Sequence, residues 1–164
     1  MSRLDSYIRR MQAQKLCLEH AAQTLVATPG PVLELGFGNG RTYDHLRGLF
    51  PDRTIYVFDR QINAHPDSVP PSELVRLGDV RDTLLHFLEE DREPAALVHA
   101  DVGTGDKNAS LELAQEIAPL LSRLLAPGGM LACDQPMEDE ELESKPLPDG
   151  VSPGRYFLYR RRPR

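Results

Sequence analysis

A chain of 164 residues has the length of one domain and is long enough to bury a hydrophobic core. Its 19 Lys and Arg residues against 25 Asp and Glu residues give a formal net charge of −6, which argues against a dedicated binder of nucleic acid or anionic membranes. The two cysteines lie far apart, and no apolar stretch approaches the roughly 18 residues of a membrane span. We therefore expect a cytoplasmic protein of one domain.

Predicted helices and strands alternate along most of the chain. Residues 1–28 contain an amphipathic helix, with apolar residues at helical spacing over 3–27, and the run Thr28-Pro29-Gly30-Pro31 ends it. Short apolar or β-branched runs then predict five strands, at 32–35, 54–58, 74–77, 95–100 and 130–133. Helices are predicted between them at 41–50, 83–90 and 111–125. This alternation predicts an α/β fold with a doubly wound, mostly parallel sheet.

The C-terminal segment, 136–164, departs from that alternation. Residues 136–153 are rich in proline and too few for another helix and strand, whereas 155–160 alternate in polarity and predict a last strand. We expect about six strands in all, with 155–160 antiparallel at the edge of the sheet. Because an exposed edge strand favours pairing with another chain, we expect a homo-oligomer.

A glycine-rich turn follows the first predicted strand in the sequence Glu34-Leu35-Gly36-Phe37-Gly38-Asn39-Gly40. Glycine permits positive φ angles and lets a ligand approach the backbone closely. The spacing is GxGxG, whereas a dinucleotide fingerprint needs GxGxxG, which disfavours a nicotinamide oxidoreductase. A tight strand-to-helix turn without a ligand is the alternative interpretation of this run.

Acidic residues end the following strands, where a doubly wound sheet binds its ligand. Asp59 ends the second strand, 25 positions after Glu34, where a carboxylate can accept both ribose hydroxyls of a nucleoside. Asp79, within Gly78-Asp79-Val80, can accept from an adenine amine, and Asp101 ends the fourth strand. For Asp59 and Asp79 the alternative is capping of a turn or helix.

Together these motifs resemble those of class I, Rossmann-like S-adenosylmethionine-dependent methyltransferases. Residues 34–40 are similar to the family motif E/D-x-G-x-G-x-G, and the resemblance covers roughly residues 25–135 in order. It implies S-adenosyl-L-methionine as cofactor, a cofactor-binding core over 29–135 and methyl transfer to an unidentified, small-molecule acceptor. The cofactor-binding residues that it implies are Glu34, Gly36, Phe37, Gly38, Gly40, Asp59, Arg60, Gly78, Asp79, Val80 and Asp101.

The roles implied by the resemblance differ along the site. The glycine loop would pass the methionine part of the cofactor, and Glu34 would hold that loop and meet the amino group through water. Asp59 would bind ribose with Arg60 packed nearby, and Asp79 and Val80 would hold adenine. Asp101 would face the amino group or the methyl group, and it is the residue we assign to catalysis.

The identity of a general base is left open by the sequence. Asp101, His99 and Asp134 lie near strand ends, although His99, inside a strand, is better explained as a packed or capped histidine. A metal-dependent variant would need His99, Asp134 and Gln135 as ligands, an unfavourable set for Mg²⁺, and we predict no metal. The N-terminal helix, through Tyr7 or Arg10, either closes over the site or only covers the sheet.

Because no catalytic motif is visible, a second hypothesis is a catalytically inert module that holds S-adenosylmethionine, or a subunit that needs a partner. The absence of an Asn-Pro-Pro-Tyr type motif after the fourth strand weakens assignment to base or glutamine N-methylation.

Overall fold

A seven-stranded sheet forms the centre of the computed structural model, which describes residues 1–163. The strands are β1 (Val32–Leu35), β2 (Ile55–Asp59), β3 (Val75–Leu77), β4 (Ala95–Ala100), β5 (Leu125–Cys133), β6 (Leu142–Ser144) and β7 (Phe157–Arg161). The helices are α1 (Arg3–Thr24), α2 (Arg41–Leu49), α3 (Val80–Glu89) and α4 (Lys107–Leu124).

The strands lie in the order β3-β2-β1-β4-β5-β7-β6, and β1 to β5 run parallel. Every residue of β1 and β4 is buried, because helices cover both faces of the sheet. The predicted doubly wound α/β class is thereby confirmed. The order reverses between β1 and β4, so the carboxyl ends of these two strands diverge and leave a crevice.

Two hydrophobic clusters hold the helices against the sheet. On one face, α3 and α4 contribute Leu84, Ile117 and Leu121 to a cluster with the side chains of the strands. On the other face, Leu18 of α1 and Leu46 of α2 pack on the sheet. The N-terminal helix therefore covers the sheet, as predicted, and its residue Arg10 reaches Asp101, which directly follows β4.

The count and placement of the C-terminal strands differ from the prediction of six. Strand β7 is antiparallel, as expected, but it lies between β5 and β6 and is not at the edge. The unpredicted edge strand β6 has only three residues, and Leu142 is its buried member. Because its hydrogen bonds go to the distant β7, its short local sequence gives little signal. The pairing of β7 with β6 also removes the edge on which the homo-oligomer prediction depended.

Residue Arg164, the end of the predicted segment 136–164, lies outside the described residues. Within residues 1–163, no helix is both long enough and apolar enough to cross a membrane.

Candidate functional site

The glycine-rich loop lies where the carboxyl ends of β1 and β4 separate. Gly36 has a φ of 83°, and a Cβ there would lie 2.0 Å from the carbonyl oxygen of Asp101. Gly40 has a φ of 88° and is the N-cap of α2. The loop thus needs glycine both for its turn and for its close approach to the backbone after β4.

Asp59 at the end of β2 holds this loop in place. Its Oδ2 accepts a hydrogen bond from the backbone N–H of Gly38 at 3.1 Å, and its Oδ1 accepts one from the N–H of Arg60 at 2.6 Å. The sequence left open whether Asp59 caps a turn or faces a ligand. The capping contact is present, and Asp59 also lines the cavity described next.

A cavity of about 290 Å³ lies at the carboxyl ends of β1, β2 and β4 and the start of α3. Asp79, the N-cap of α3, accepts from the backbone N–H of Arg81 at 2.9 Å, and the guanidinium groups of Arg60 and Arg81 each lie 3.5 Å from its Oδ2. The lining residues are Gly36, Phe58, Asp59, Arg60, Gly78, Asp79, Val80, Arg81, Val102, Gly103, Thr104 and Leu113. Six of the predicted site residues therefore meet at one cavity.

Asp101, which follows β4, is paired with the N-terminal helix. Its Oδ1 lies 2.7 Å from Nη2 of Arg10, and both side chains are partly exposed. Arg10 also lines a second cavity, of about 330 Å³, which shares Gly103 with the first. The other residues of the second cavity are Gly105, Asp106, Lys107, Ser110, Asp134, Gln135 and Arg155.

Asp134, at the end of β5, lies on the wall of this second cavity. Its carboxylate accepts from the backbone N–H groups of Val102 at 3.3 Å and Gly103 at 3.1 Å. Burial and the nearby charge of Asp101 raise the pKa of Asp134 above its usual value. A carboxylate with a raised pKa beside a cavity is suited to accept a proton.

Glu34 lines neither cavity, and its contact with an amino group through water stays a prediction. Its side chain is fully buried, and its oxygens lie 3.0 and 2.9 Å from Nδ1 of His99. The other ring nitrogen of His99 contacts the hydroxyl of Tyr156 and lies 3.2 Å from Nε2 of Gln14. Glu34 therefore acts inside the sheet, where it ties β1 to β4.

The pKa values of this buried pair follow from their contact. Burial raises the pKa of Glu34, and the charge of His99 opposes that shift. Burial alone would lower the pKa of His99, but the charge and hydrogen bond of Glu34 outweigh it and the pKa is raised. His99 is thus a packed, hydrogen-bonded histidine, as its position inside a strand indicated.

Phe37 is also an internal residue, since its side chain is buried and packs edge-to-face on Tyr43 with ring centroids 5.6 Å apart. Only the backbone of Phe37 belongs to the loop. Of the ligands that the metal-dependent alternative needs, His99 already contacts Glu34 and Tyr156 through its two ring nitrogens, and the absence of a metal stays a prediction. Across residues 1–163, no three His, Cys, Asp or Glu side chains are grouped to hold a metal ion.

Several residues at the site, among them Gln14, Tyr156, Arg155 and Lys107, were not singled out from the sequence. Gln14 and Tyr156 complete the buried network around His99, and Arg155 lines the second cavity. They lie on α1, at the start of α4 and on the segment before β7, and no local motif marks them.

Residues 1–161 match the family model described as S-adenosyl-L-methionine methyltransferase. The crystal structure of an S-adenosyl-L-methionine methyl transferase from Silicibacter pomeroyi is 48% identical, with a TM-score of 0.93 over 98% of this chain and 99% of that one. A search of curated proteins finds no match.

More distant structures share the fold. TrmN from Thermus thermophilus is 18% identical, with a TM-score of 0.61 over 88% of this chain and 48% of that one. Human methyltransferase-like protein 13, solved in complex with SAH, is 16% identical, with a TM-score of 0.58 over 95% of this chain and 82% of that one.

Proposed function

Because the chain belongs to the S-adenosyl-L-methionine methyltransferase family, we propose that it is an enzyme that transfers a methyl group from S-adenosylmethionine to a small-molecule acceptor. The observation that carries this proposal is the meeting of Gly36, Asp59 and Asp79 at one cavity beside the switch point of the sheet. Family membership favours an enzyme over a catalytically inert binding module.

The residues around the first cavity fit the parts of this cofactor. Its volume of about 290 Å³ is near the lower end of ligand pockets, roughly 300–1,000 Å³, and suits a nucleoside. Asp59 has the acceptor oxygens that ribose hydroxyls need, with Arg60 beside it, and Asp79 and Val80 would hold adenine. The backbone of Gly36, Gly38 and Gly40 would face the methionine part, while Gly78 lets the chain turn between β3 and Asp79. When bound, the cofactor supplies an activated methyl group on a sulfonium.

Asp101 and Arg10 would orient the amino-acid end of the cofactor. Their ion pair joins Arg10 on the wall of the second cavity to Asp101, which directly precedes Val102 of the first. A zwitterionic amino-acid group offers the opposite charge to each of the two side chains. Asp101 would then hold the ammonium and Arg10 the carboxylate. In this role Asp101 positions the methyl donor, which refines its assignment to catalysis.

Asp134 is the group that we propose as proton acceptor. Asp134 lines the second cavity, near Asp101. Because its pKa is raised, its carboxylate is a stronger base than that of an ordinary aspartate and is better suited to take a proton from the methyl acceptor. A proton released by the acceptor would pass to its carboxylate, which Val102 and Gly103 hold in position.

Ligand-dependent thermal unfolding tests the proposal. S-adenosylmethionine and S-adenosylhomocysteine should each raise the melting temperature, whereas NAD should leave it unchanged. At 100 times its Kd, a bound ligand raises the free energy of unfolding by about 2.7 kcal/mol. A protein that responds to neither S-adenosyl compound would not bind the cofactor, and the proposal would fail. Transfer of labelled methyl groups to a small-molecule extract then separates the enzyme from the inert module.

Three other expectations stay predictions: the cytoplasmic location, the homo-oligomer, and the division of one domain at residues 28 and 135. The exposed apolar side chains of Leu4 and Ile8 on α1 offer one surface for self-association. Light scattering that gives only the monomer mass of 18.4 kDa would rule the homo-oligomer out.

A further inference from the structure

Three cationic side chains line the second cavity, next to the proposed cofactor cavity. These are Arg10, Lys107 and Arg155. Arg10 and Arg155, without Lys107, also line a third cavity of about 360 Å³, which includes Arg3 of α1. These cations come from α1, from the start of α4 and from the segment before β7. They form a corner of the molecule beside the proposed methyl-transfer site, and the second cavity also holds the acids Asp106 and Asp134.

Most of these cations have no acidic partner. Arg155 donates from Nη1 to the hydroxyl of Ser6 at 3.0 Å, and its Nη2 lies 3.7 Å from the sulfur of Met1, both of which are neutral. Among residues 1–163, no carboxylate lies within 4.0 Å of a charged nitrogen of Arg155, Lys107 or Arg3. Their charges are therefore available to a ligand.

The acids of the second cavity, in contrast, are already engaged. Asp106 caps α4 by accepting from the N–H of Ala109 at 2.9 Å, and Asp134 accepts from the backbone after β4. Asp101 is paired with Arg10. These acids thus spend hydrogen-bond acceptors on groups of the chain itself, whereas the charged nitrogens of Arg155 and Lys107 meet no carboxylate of residues 1–163.

We propose that this corner is the acceptor site, and that the acceptor is an anionic small molecule whose carboxylate or phosphate is held by Arg155 and Lys107. A guanidinium can bind either anion through two parallel hydrogen bonds, and the ammonium of Lys107, which lines the same cavity, adds a second positive charge. The second cavity, about 330 Å³, has the size of a small-metabolite site. The proposal rests on the proposed function, since it places the acceptor beside the cofactor cavity through their shared residue Gly103.

Titration of anions into protein saturated with S-adenosylhomocysteine tests this site. Isothermal titration with inorganic phosphate and, separately, with succinate distinguishes the two anion sources, and sodium chloride at matched ionic strength is the control. We expect saturable binding of at least one of them, and an affinity at least tenfold lower in Arg155→Gln. The matched control is Arg9→Gln, because Arg9 is an exposed α1 arginine that lines neither cavity, and it should bind as the wild type does.

The affinity for S-adenosylhomocysteine keeps the two proposals separable. It should stay within twofold of wild type in Arg155→Gln, which also shows that the variant folds. If Arg155→Gln is not folded, Lys107→Gln replaces it, and a threefold or greater loss of anion affinity is expected. Wild-type protein that binds the cofactor product but neither anion would overturn the acceptor proposal alone. The acceptor proposal would also fail if Arg155→Gln bound the anions as tightly as wild type. It would fail as well if the variant lost as much affinity for S-adenosylhomocysteine as for the anions.

Discussion

Nη2 of Arg10 lies 2.7 Å from Oδ1 of Asp101, which joins the N-terminal helix to the end of the fourth strand across 91 positions of sequence. The side chain of Arg10 is 44% exposed, so solvent screens this pair and its contribution to stability is small. The pair also stands beside both cavities, since Arg10 lines the second cavity and Asp101 directly precedes Val102, which lines the first.

Replacing Arg10 should therefore separate binding from stability. We expect Arg10→Ala to change the free energy of unfolding by less than about 1 kcal/mol. Its affinity for S-adenosylhomocysteine should fall roughly tenfold, as the loss of one hydrogen bond to a charged group implies. Calorimetric titration measures the affinity, and Arg9→Ala serves as the control. An Arg10→Ala protein that binds as tightly as wild type would remove Arg10 from the cofactor site.

Asp59 is expected to act on the ligand and on the glycine loop together. Asp59→Ala loses both the acceptor for Gly38 and the acceptor for ribose, so the affinity for S-adenosylhomocysteine should fall about 100-fold, or roughly 3 kcal/mol. Asp59→Asn keeps one carbonyl oxygen for Gly38 and should lose less. If the two variants bind equally, the charge of Asp59 matters and its support of the loop does not.

Most of the cofactor side of the site was predictable because it is encoded locally. The positive φ of Gly36 and the strand-end positions of Asp59 and Asp79 follow from short motifs next to β-branched runs. Tyr156 and Arg155 could not be assigned to the site although 155–160 is predicted as an antiparallel strand, because their contacts, with His99 and Ser6, lie far away in the sequence. Strand β6 escaped prediction for the same reason, since its partner lies outside its own sequence neighbourhood.

Asp134 should give the enzyme a characteristic pH profile. Its pKa is raised, so the carboxylate becomes protonated at a higher pH than a free aspartate would. As the proton acceptor it must be ionised, and kcat/KM should fall as the pH drops through that raised pKa. Asp134→Asn should lose most of the activity, and the residual rate should no longer follow this acidic limb. An unchanged limb in the variant would assign the titration to another group.

The same residue should lower stability at neutral pH. Because the folded state binds the Asp134 proton more tightly than the unfolded chain does, its contribution to stability declines as the pH rises from the unfolded pKa through the folded one. At pH 7 we expect Asp134→Asn to be at least as stable as wild type by thermal unfolding. The advantage should shrink towards acidic pH, where wild-type Asp134 carries its proton. A variant that melts lower than wild type at pH 7 would contradict this.

The buried contact between Glu34 and His99 should show strong coupling in unfolding experiments. Both side chains are fully buried, and Nδ1 of His99 lies within 3.0 Å of both carboxylate oxygens. His99→Leu leaves Glu34 without its partner inside the sheet, so we expect a loss of about 3–5 kcal/mol in urea unfolding. The double variant Glu34→Leu/His99→Leu removes the orphaned carboxylate as well, and it should be more stable than His99→Leu by at least about 1 kcal/mol.

The stability that the double variant regains over His99→Leu measures how far His99 compensates the buried carboxylate of Glu34. Tyr156 and Gln14 still lose their contacts with His99 in the double variant, so full wild-type stability is not expected. Tyr156→Phe measures that remaining part, because it removes the hydroxyl and keeps the ring. If the losses of the two single Leu variants simply add in the double variant, Glu34 and His99 contribute independently. In that case the carboxylate of Glu34 is not compensated by His99, and the raised pKa of the histidine has another cause.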